Sequence, residues 1–398
     1  MAETIALKVR KKFVDQYRNG YPLIESYALE KTDIKIKEGE IIHLVDEKGK
    51  FLGKGYYGIQ NKGIGWILSN DIHEKIDMYF FEKRLKEAFE KRAVFFKNTK
   101  TTAFRLFNGE GDGIGGLTID YFDGYYLINW YSRGVFKYRD YVLNNLKSMV
   151  QFKGIYQKRR YNSDGKFIEE DSFVMGTPAE FPLIVQENNV NFAVYLNEGA
   201  MVGFFMDQRD VRKRIRDHYA AGKTVLNTFS YTGAFSVFAA LGDAQKTTSV
   251  DLANRSLVKT QEQFAINGID YEQNDIVVQD VFDYFKEAQK KKLQFDMVIL
   301  DPPSFAKSKK MIFAAEKDYT NLLKDAIAIT AEEGLIVAST NCSSFDMKTF
   351  MQFIELAFKQ SKCSYKILES HALPRDFVVN KNYKEGNYLK VVFIQKGK

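Results

Sequence analysis

FDMVILDPPSF, residues 295–305, is an apolar run of strand length that stops at an acid followed by two prolines. Proline fixes its own φ, lacks an amide donor and disfavours helix in the residue before it. Asp301 is therefore held on a stiff, extended turn at the carboxyl end of a strand. Similar short apolar runs flank this one. KTVLNTF (223–229), TTSVD (247–251) and DIVVQD (275–280) precede it, and GLIVAST (334–340) and YKILES (365–370) follow, with helix-length segments between. Strands alternating with helices imply α/β architecture, a mostly parallel sheet covered by helices on both faces. Ligands of such sheets bind beyond the carboxyl ends of the strands. Those ends are where candidate functional residues should stand.

The first strand runs into Asn227-Thr228-Phe229-Ser230-Tyr231-Thr232-Gly233. A glycine at a strand-to-helix turn lets backbone approach a ligand closely. One glycine is not the three-glycine loop that seats a pyrophosphate, so the expected ligand is a nucleoside without a diphosphate. Asp251 ends the second strand, 18 residues beyond Gly233. A carboxylate there can accept both ribose hydroxyls, or simply cap a helix. Asp280, after the third strand, has the same two readings, with an adenine amino group as the ligand. The fifth strand ends at Thr340-Asn341-Cys342-Ser343. If strands four and five are neighbours, Asp301 and Cys342 face one pocket.

The rest of the chain has other rhythms. Residues 1–73 hold short β-like runs broken by Gly39, Gly49, Gly53, Gly63 and Gly65, suggesting a small β-barrel or sandwich. Apolar residues recur three and four apart over Ile76–Phe96, a helix pattern. The glycine-acid run GEGDGIGG, 109–116, looks like a dinucleotide loop. We read it as a hairpin loop, because no strand is evident before it and no helix after it. LTIDYFDGYYLINWY is a hairpin turning at Asp123-Gly124. From about residue 186 the strand–helix alternation takes over. The sequence thus divides into 1–73, 74–185 (α+β) and 186–398.

The 398 residues are 45% apolar and 27% charged, as in soluble globular proteins. No apolar run reaches the roughly 18 residues that span a bilayer, and the N-terminus does not resemble a secretory signal. Two distant cysteines give no disulfide framework, consistent with a reducing cytoplasm. Four isolated histidines and unpaired cysteines argue against a metal site. The net charge of +7 is compatible with a nucleic-acid partner without demanding one. Local clusters say more: KVRKK (8–12), Lys158-Arg159-Arg160 and RDVRKRIR (209–216), each either a solvated face or a phosphate contact.

A rigid acid at the fourth strand end has no use in a dehydrogenase, whereas methyltransferases place the acceptor base there. The nucleoside loop and DPPSF together resemble class I S-adenosylmethionine-dependent methyltransferases. More closely, the chain resembles the bacterial PUA-domain large-subunit ribosomal RNA cytosine-5 methyltransferase family. Asn19-Gly20-Tyr21-Pro22 and GKFLGKGYY are similar to its PUA domain, FNGEGDGIGGLTIDYFDGYY to its middle domain. EGAMVGFFMDQRDVR with VLNTFSYTGAFSV looks like its entry segment and cofactor loop, and PRDFVVNKNYKEGNYLKVVF like its C-terminal ending.

The resemblance implies a PUA-like domain, a middle domain and a Rossmann-like catalytic domain. It implies S-adenosylmethionine over Asn227, Phe229, Ser230, Thr232 and Gly233, its ribose at Asp251, its adenine near Asp280, and Asp301 bordering both cofactor and base. It implies ribosomal RNA as partner, with Arg209 and Lys307 as phosphate contacts, and Cys342 as nucleophile. The family's usual Ser-Cys-Ser is Asn341-Cys342-Ser343 here. DPPSFAKSKK also resembles a guanine-N7 methyltransferase family that lacks the cysteine.

The chemistry fits those residue types. Carbon 5 of cytosine is a poor nucleophile until a thiolate adds to carbon 6 and makes it enamine-like. A protonated Asp301 could hydrogen-bond ring nitrogen 3 if burial raises its pKa. An ordinary cysteine, with pKa about 8.5, is only a few per cent thiolate at neutral pH. A helix starting near Ser344–Asp346 would increase that fraction at Cys342. Cys363 reads as core. Guanine-N7 or exocyclic-amine methylation, and a non-catalytic RNA-binding protein on this fold, stay open, as does assembly into a homodimer.

Overall fold

Period-2 alternation in the strands after residue 223 sorts their side chains onto two faces, and helices cover both. In the computed structural model, which describes residues 5–60, 62–163, 166–167, 172–199, 202–307 and 312–397, the chain divides into two compact units. The first comprises Met1–Val185, Tyr195–Val202 and Arg375–Gly386; the second comprises Gln186–Val194, Gly203–Pro374 and Asn387–Lys398.

The second unit is built on strands β1 (Thr224–Thr228), β2 (Lys246–Asp251), β3 (Asp275–Val278), β4 (Phe295–Leu300), β5 (Thr330–Thr340), β6 (Tyr365–His371) and β7 (Lys390–Lys396). Among the described residues they form one sheet in the order β3-β2-β1-β4-β5-β7-β6. The first five are parallel; β7 runs antiparallel to both β5 and β6. Strand order reverses between β1 and β4, the switch point where α/β sheets bind ligands.

Helices α1 (Arg209–Arg214), α2 (Ala234–Ala240), α3 (Arg255–Ala265), α4 (Val281–Lys290), α5 (Ala315–Ile329) and α6 (Met347–Gln360) accompany these strands. Leu226, Val298, Leu300, Ile336 and Ala338 pack with Phe285 of α4, Leu322 and Leu323 of α5 and Ile354 of α6. Their neighbours Val225, Met297, Ile299, Leu335 and Val337 pack on the other face with Val211 of α1 and Phe235 of α2. Strands buried on both faces read as continuous apolar runs, which is why these were legible.

In the first unit, strands Ile5–Lys8, Ile41–Val45, Phe51–Tyr57, Gly65–Ser69 and Leu23–Ile24 lie in that spatial order. A second five-stranded sheet runs Phe173–Gly176, Gly154–Arg159, Tyr125–Trp130, Leu117–Phe122, Ala103–Asn108. The helix expected over Ile76–Phe96 spans Met78–Phe96, and the Asp77 side chain caps it by accepting from Phe80 N (3.2 Å). Asp123 (φ +47°) and Gly124 (φ +93°) make the expected tight hairpin turn.

GEGDGIGG is the loop of a hairpin, as expected, but a strand does precede it. Ala103–Asn108 and Leu117–Phe122 pair antiparallel on either side. Inside the loop, Asp112 takes two 2.7 Å hydrogen bonds from the buried Arg92 guanidinium. A Cβ on Gly111 would sit 1.9 Å from Val378 O, so close backbone packing rather than a phosphate needs this glycine. Among the described residues, no helix is long and apolar enough to cross a membrane.

Candidate active site

The turn from β1 into α2 carries three left-handed residues: Phe229 (φ +54°), Tyr231 (φ +53°) and Gly233 (φ +75°). Glycine adopts that conformation freely, whereas phenylalanine and tyrosine pay about 1–2 kcal/mol each. Several hydrogen bonds hold the turn: Ser230 N donates to Val250 O (3.1 Å), Gly233 N to Ser230 O (2.8 Å) and Thr232 Oγ1 to Gly203 O (2.7 Å). At Gly233 the backbone also passes so close to α3 that a Cβ would meet Thr260 Cγ2 at 2.5 Å. Strain of this kind concentrates at ligand sites, where the chain must present backbone in one geometry.

Asp251, at the end of β2, is part of this construction. Its Oδ2 accepts from Tyr231 N and its Oδ1 from Ala253 N, both at 2.9 Å. Each carboxylate oxygen has a second lone pair to offer a diol. Asp280 behaves as the cap that the sequence allowed: its Oδ1 accepts from Phe282 N (2.9 Å) and Asp283 N (3.4 Å) at the start of α4. Asn227 stands apart from the edge. Its side chain is buried on the α2 face, donates to Ser236 Oγ (3.0 Å) and is 1% exposed.

β4 and β5 are neighbours, with Leu300 opposite Ala338. One residue further on, Asp301 Oδ1 accepts from Ser339 Oγ (2.9 Å) and from Gln208 Nε2 (3.0 Å). Ser304 Oγ donates to Asn341 Oδ1 (2.6 Å), a second tie between the two strand ends. Burial pushes the Asp301 carboxyl up to about 6, reinforced by the nearby Asp207 carboxylate and opposed by the Ser339 and Gln208 hydrogen bonds.

Cys342 lies two residues beyond the end of β5. It is 8% exposed, its sulfur lies 3.2 Å from Ser344 Oγ, and it belongs to the same apolar cluster as Phe350 and Ile354. Helix α6 begins at Met347, capped by Asp346 through Thr349 N (2.9 Å). Lys390, opposite Thr340 on β7, donates from Nζ to Cys342 O (2.8 Å) and Tyr388 O (2.7 Å). Its ammonium lies 5.2 Å from the Phe345 ring, and burial pulls its pKa down to about 8.

The donor set suits a nucleoside cofactor bearing a positive sulfonium. Carboxylates at Asp251 and Asp301 are acceptors, and Gln208 Oε1 is buried with no hydrogen-bond partner. Residues 140–377 match the family described as S-adenosylmethionine-dependent methyltransferase, and residues 7–70 match the PUA-like domain. The chain belongs to the S-adenosylmethionine-dependent methyltransferase family.

Relatives agree along the whole length. A Bacillus subtilis (strain 168) protein, YwbD, provisionally named a ribosomal RNA large subunit methyltransferase, is 57% identical over 98% of this chain and 99% of its own. Ribosomal RNA large subunit methyltransferase I of Alteromonas mediterranea is 31% identical over 94% of each chain. The crystal structure of SMU.776, provisionally named a methyltransferase and complexed with SAH, superposes with a TM-score of 0.90 at 38% identity, covering 98% of this chain and 100% of that one.

The methyltransferase therefore uses S-adenosylmethionine, and the residues at the β1, β2 and β4 ends are those that would hold it. Two expected RNA contacts fare differently. Arg209 is 4% exposed, with Nε 3.8 Å from Glu187 Oε2, so its guanidinium is committed inside the protein and is not a surface phosphate contact. Lys307 ends a short strand, Phe305–Lys307, paired with Ile312–Ala314; its side chain lies outside the described residues. Gln208 and Lys390 were missed. Gln208 has no sequence signal, but a lone lysine within the apolar run NYLKVVFI was a readable anomaly.

Proposed function

We propose that this methyltransferase acts on large-subunit (23S) ribosomal RNA and forms 5-methylcytosine through a covalent adduct at Cys342. The RNA class follows the names of its relatives, which describe ribosomal RNA large subunit methyltransferases. Residues 1–73 and 74–185 would grip the RNA, and residues 186–398 would carry the chemistry. The base assignment rests on one observation: an acid with a raised pKa and a thiol stand at the ends of adjacent strands.

In this reading the Cys342 thiolate adds to carbon 6, and the electrons of the 5,6 double bond make carbon 5 nucleophilic. Bound S-adenosylmethionine supplies the electrophilic methyl group. Asp301, holding a proton, donates to nitrogen 3 and stabilises the charge that develops there. Loss of the carbon 5 proton to a base then returns the electron pair that expels sulfur and restores the ring. Lys390 acts at one remove, fixing the Cys342 carbonyl and setting a positive charge beside the thiol loop.

Labelled cofactor and ribosomal RNA, followed by nucleoside mass spectrometry, test this directly. Label in 5-methylcytidine is expected; label in guanosine or adenosine overturns the assignment. One observation favours a second reading, methylation of a nitrogen with Asp301 alone. The sulfur of Cys342 is nearly buried among apolar side chains, as structural cysteines are. Full activity of Cys342→Ala would select that reading.

A further inference from the structure

A cavity of about 600 Å³ opens in the first unit, far along the sequence from the strand ends just described. It is lined by Arg133, Lys137, Arg139 and Arg159, by Phe136 and Tyr161, and by Gln157 and Asp140. Four cations and one acid line one hollow, in a chain whose net charge is only +7. We propose that this cavity is a binding site for single-stranded RNA, taking the phosphate backbone on its cations and a base on its aromatic rings.

The cations come from separate elements. Arg133 opens the short helix Arg133–Phe136, with Lys137 one turn later; Arg139 begins the helix Arg139–Met149. Gln157 and Arg159 alternate on the strand Gly154–Arg159, so they share a face. Folding joins Arg159, from the basic cluster Lys158-Arg159-Arg160, to the three cations spread over residues 133–139. Several groups are already oriented. The Arg159 guanidinium lies 4.5 Å from the Phe136 ring, and the Phe136 and Tyr161 rings lie 6.2 Å apart. Arg139 Nε donates to Gln157 Oε1 (3.0 Å) and its Nη1 sits 3.3 Å from Asp140. Arg133 and Lys137 are exposed.

Cations interleaved with aromatic rings are the physical requirement for a single strand. Phosphates are neutralised while every base, whatever its identity, has a face to stack. A small anion would need only the cations, and an acidic protein surface would not use a hollow floored with rings. The inference rests on RNA being the substrate of the proposed function, and not on which base or atom is methylated.

The test uses the full chain and a fluorescein-labelled oligouridylate of about 12 nucleotides, within the span of one single-strand site. Anisotropy across a salt series gives affinity and its salt slope. Arg133→Glu with Lys137→Glu should weaken binding at least about 10-fold and lower the slope by about 1.4, two lost phosphate contacts on a single strand. Arg133→Lys with Lys137→Arg should keep both, and calorimetry should give unchanged S-adenosylmethionine affinity in each variant. Wild-type affinity and slope in the charge-reversed protein would overturn the proposal, whether or not that surface then proved to hold a protein. So would absence of RNA binding by the unaltered chain. If the cavity variants behave as expected but label enters guanosine, the cytosine reading fails and this site stands.

Discussion

One basic run in the second unit and one basic hollow in the first put their cations in different surroundings. In the second, the cations of the basic run RDVRKRIR are paired with carboxylates of the protein. Arg212 is 1% exposed and pairs with the fully buried Glu187 through two 2.8 Å hydrogen bonds, while Phe192, Phe204, Phe235 and Phe238 surround its guanidinium. Arg214 bonds Glu369, and Arg216 bonds Asp217 and the Asn188 carbonyl. In the first unit, cations scattered over residues 133–159 converge on a hollow. Linear density of charge is therefore a poor guide to a phosphate surface.

If this contrast is right, variants in the second unit should change chemistry or stability and leave RNA affinity alone. Cys342→Ala tests it most severely: turnover should fall by at least about 10³-fold, while anisotropy reports unchanged RNA binding. A loss of affinity matching the loss of turnover would break the division between the units.

Arg212→Ala comes next. It strips the buried Glu187 of its two 2.8 Å hydrogen bonds and leaves it only the more distant Arg209, a loss of about 3 kcal/mol read from the denaturation midpoint. The salt slope of RNA binding should not move, because Arg212 touches no phosphate in this account.

Asp301→Asn gives a smaller, pH-dependent effect. The native carboxyl holds its proton up to about 6, against 3.8 ordinarily. Between those values the folded state binds more protons than the unfolded one, so stability falls as pH rises through the window. The asparagine variant escapes that loss. It should gain up to about 3 kcal/mol above pH 6, with the gain vanishing below pH 4, as thermal melts across pH would record. Turnover of the unaltered enzyme should decline as pH rises beyond about 6, to the extent that protonated Asp301 is required.

The smallest effect belongs to Asp280→Ala. As a helix cap, it should cost about 1 kcal/mol and leave cofactor affinity intact. A calorimetric loss of S-adenosylmethionine binding greater than that would support the adenine contact implied by the family resemblance.

The mostly parallel sheet was legible because its central strands are buried on both faces and so read as apolar runs. The hairpin at Asp123-Gly124 was legible because its turn needs positive φ, which that pair supplies cheaply. GEGDGIGG was read as a loop, although the strand before it escaped notice: AFRLFN is interrupted by Arg105, whose guanidinium meets Asp120 and, 4.6 Å away, the Phe377 ring. Asn227 sits in the segment expected to meet the cofactor, and its amide nitrogen is held by Ser236 of α2.

Sequence alone thus determined the strand–helix alternation, the turns that demand Gly or Pro, and which residues end each strand, because these depend on the chain's own backbone and periodicity. Tertiary structure decided which charges are spent on one another, that Arg375–Gly386 returns to the first unit, and that Lys390 reaches the Cys342 carbonyl. Those outcomes join residues far apart in the chain, and no local pattern encodes the partner that folding brings within 3 Å.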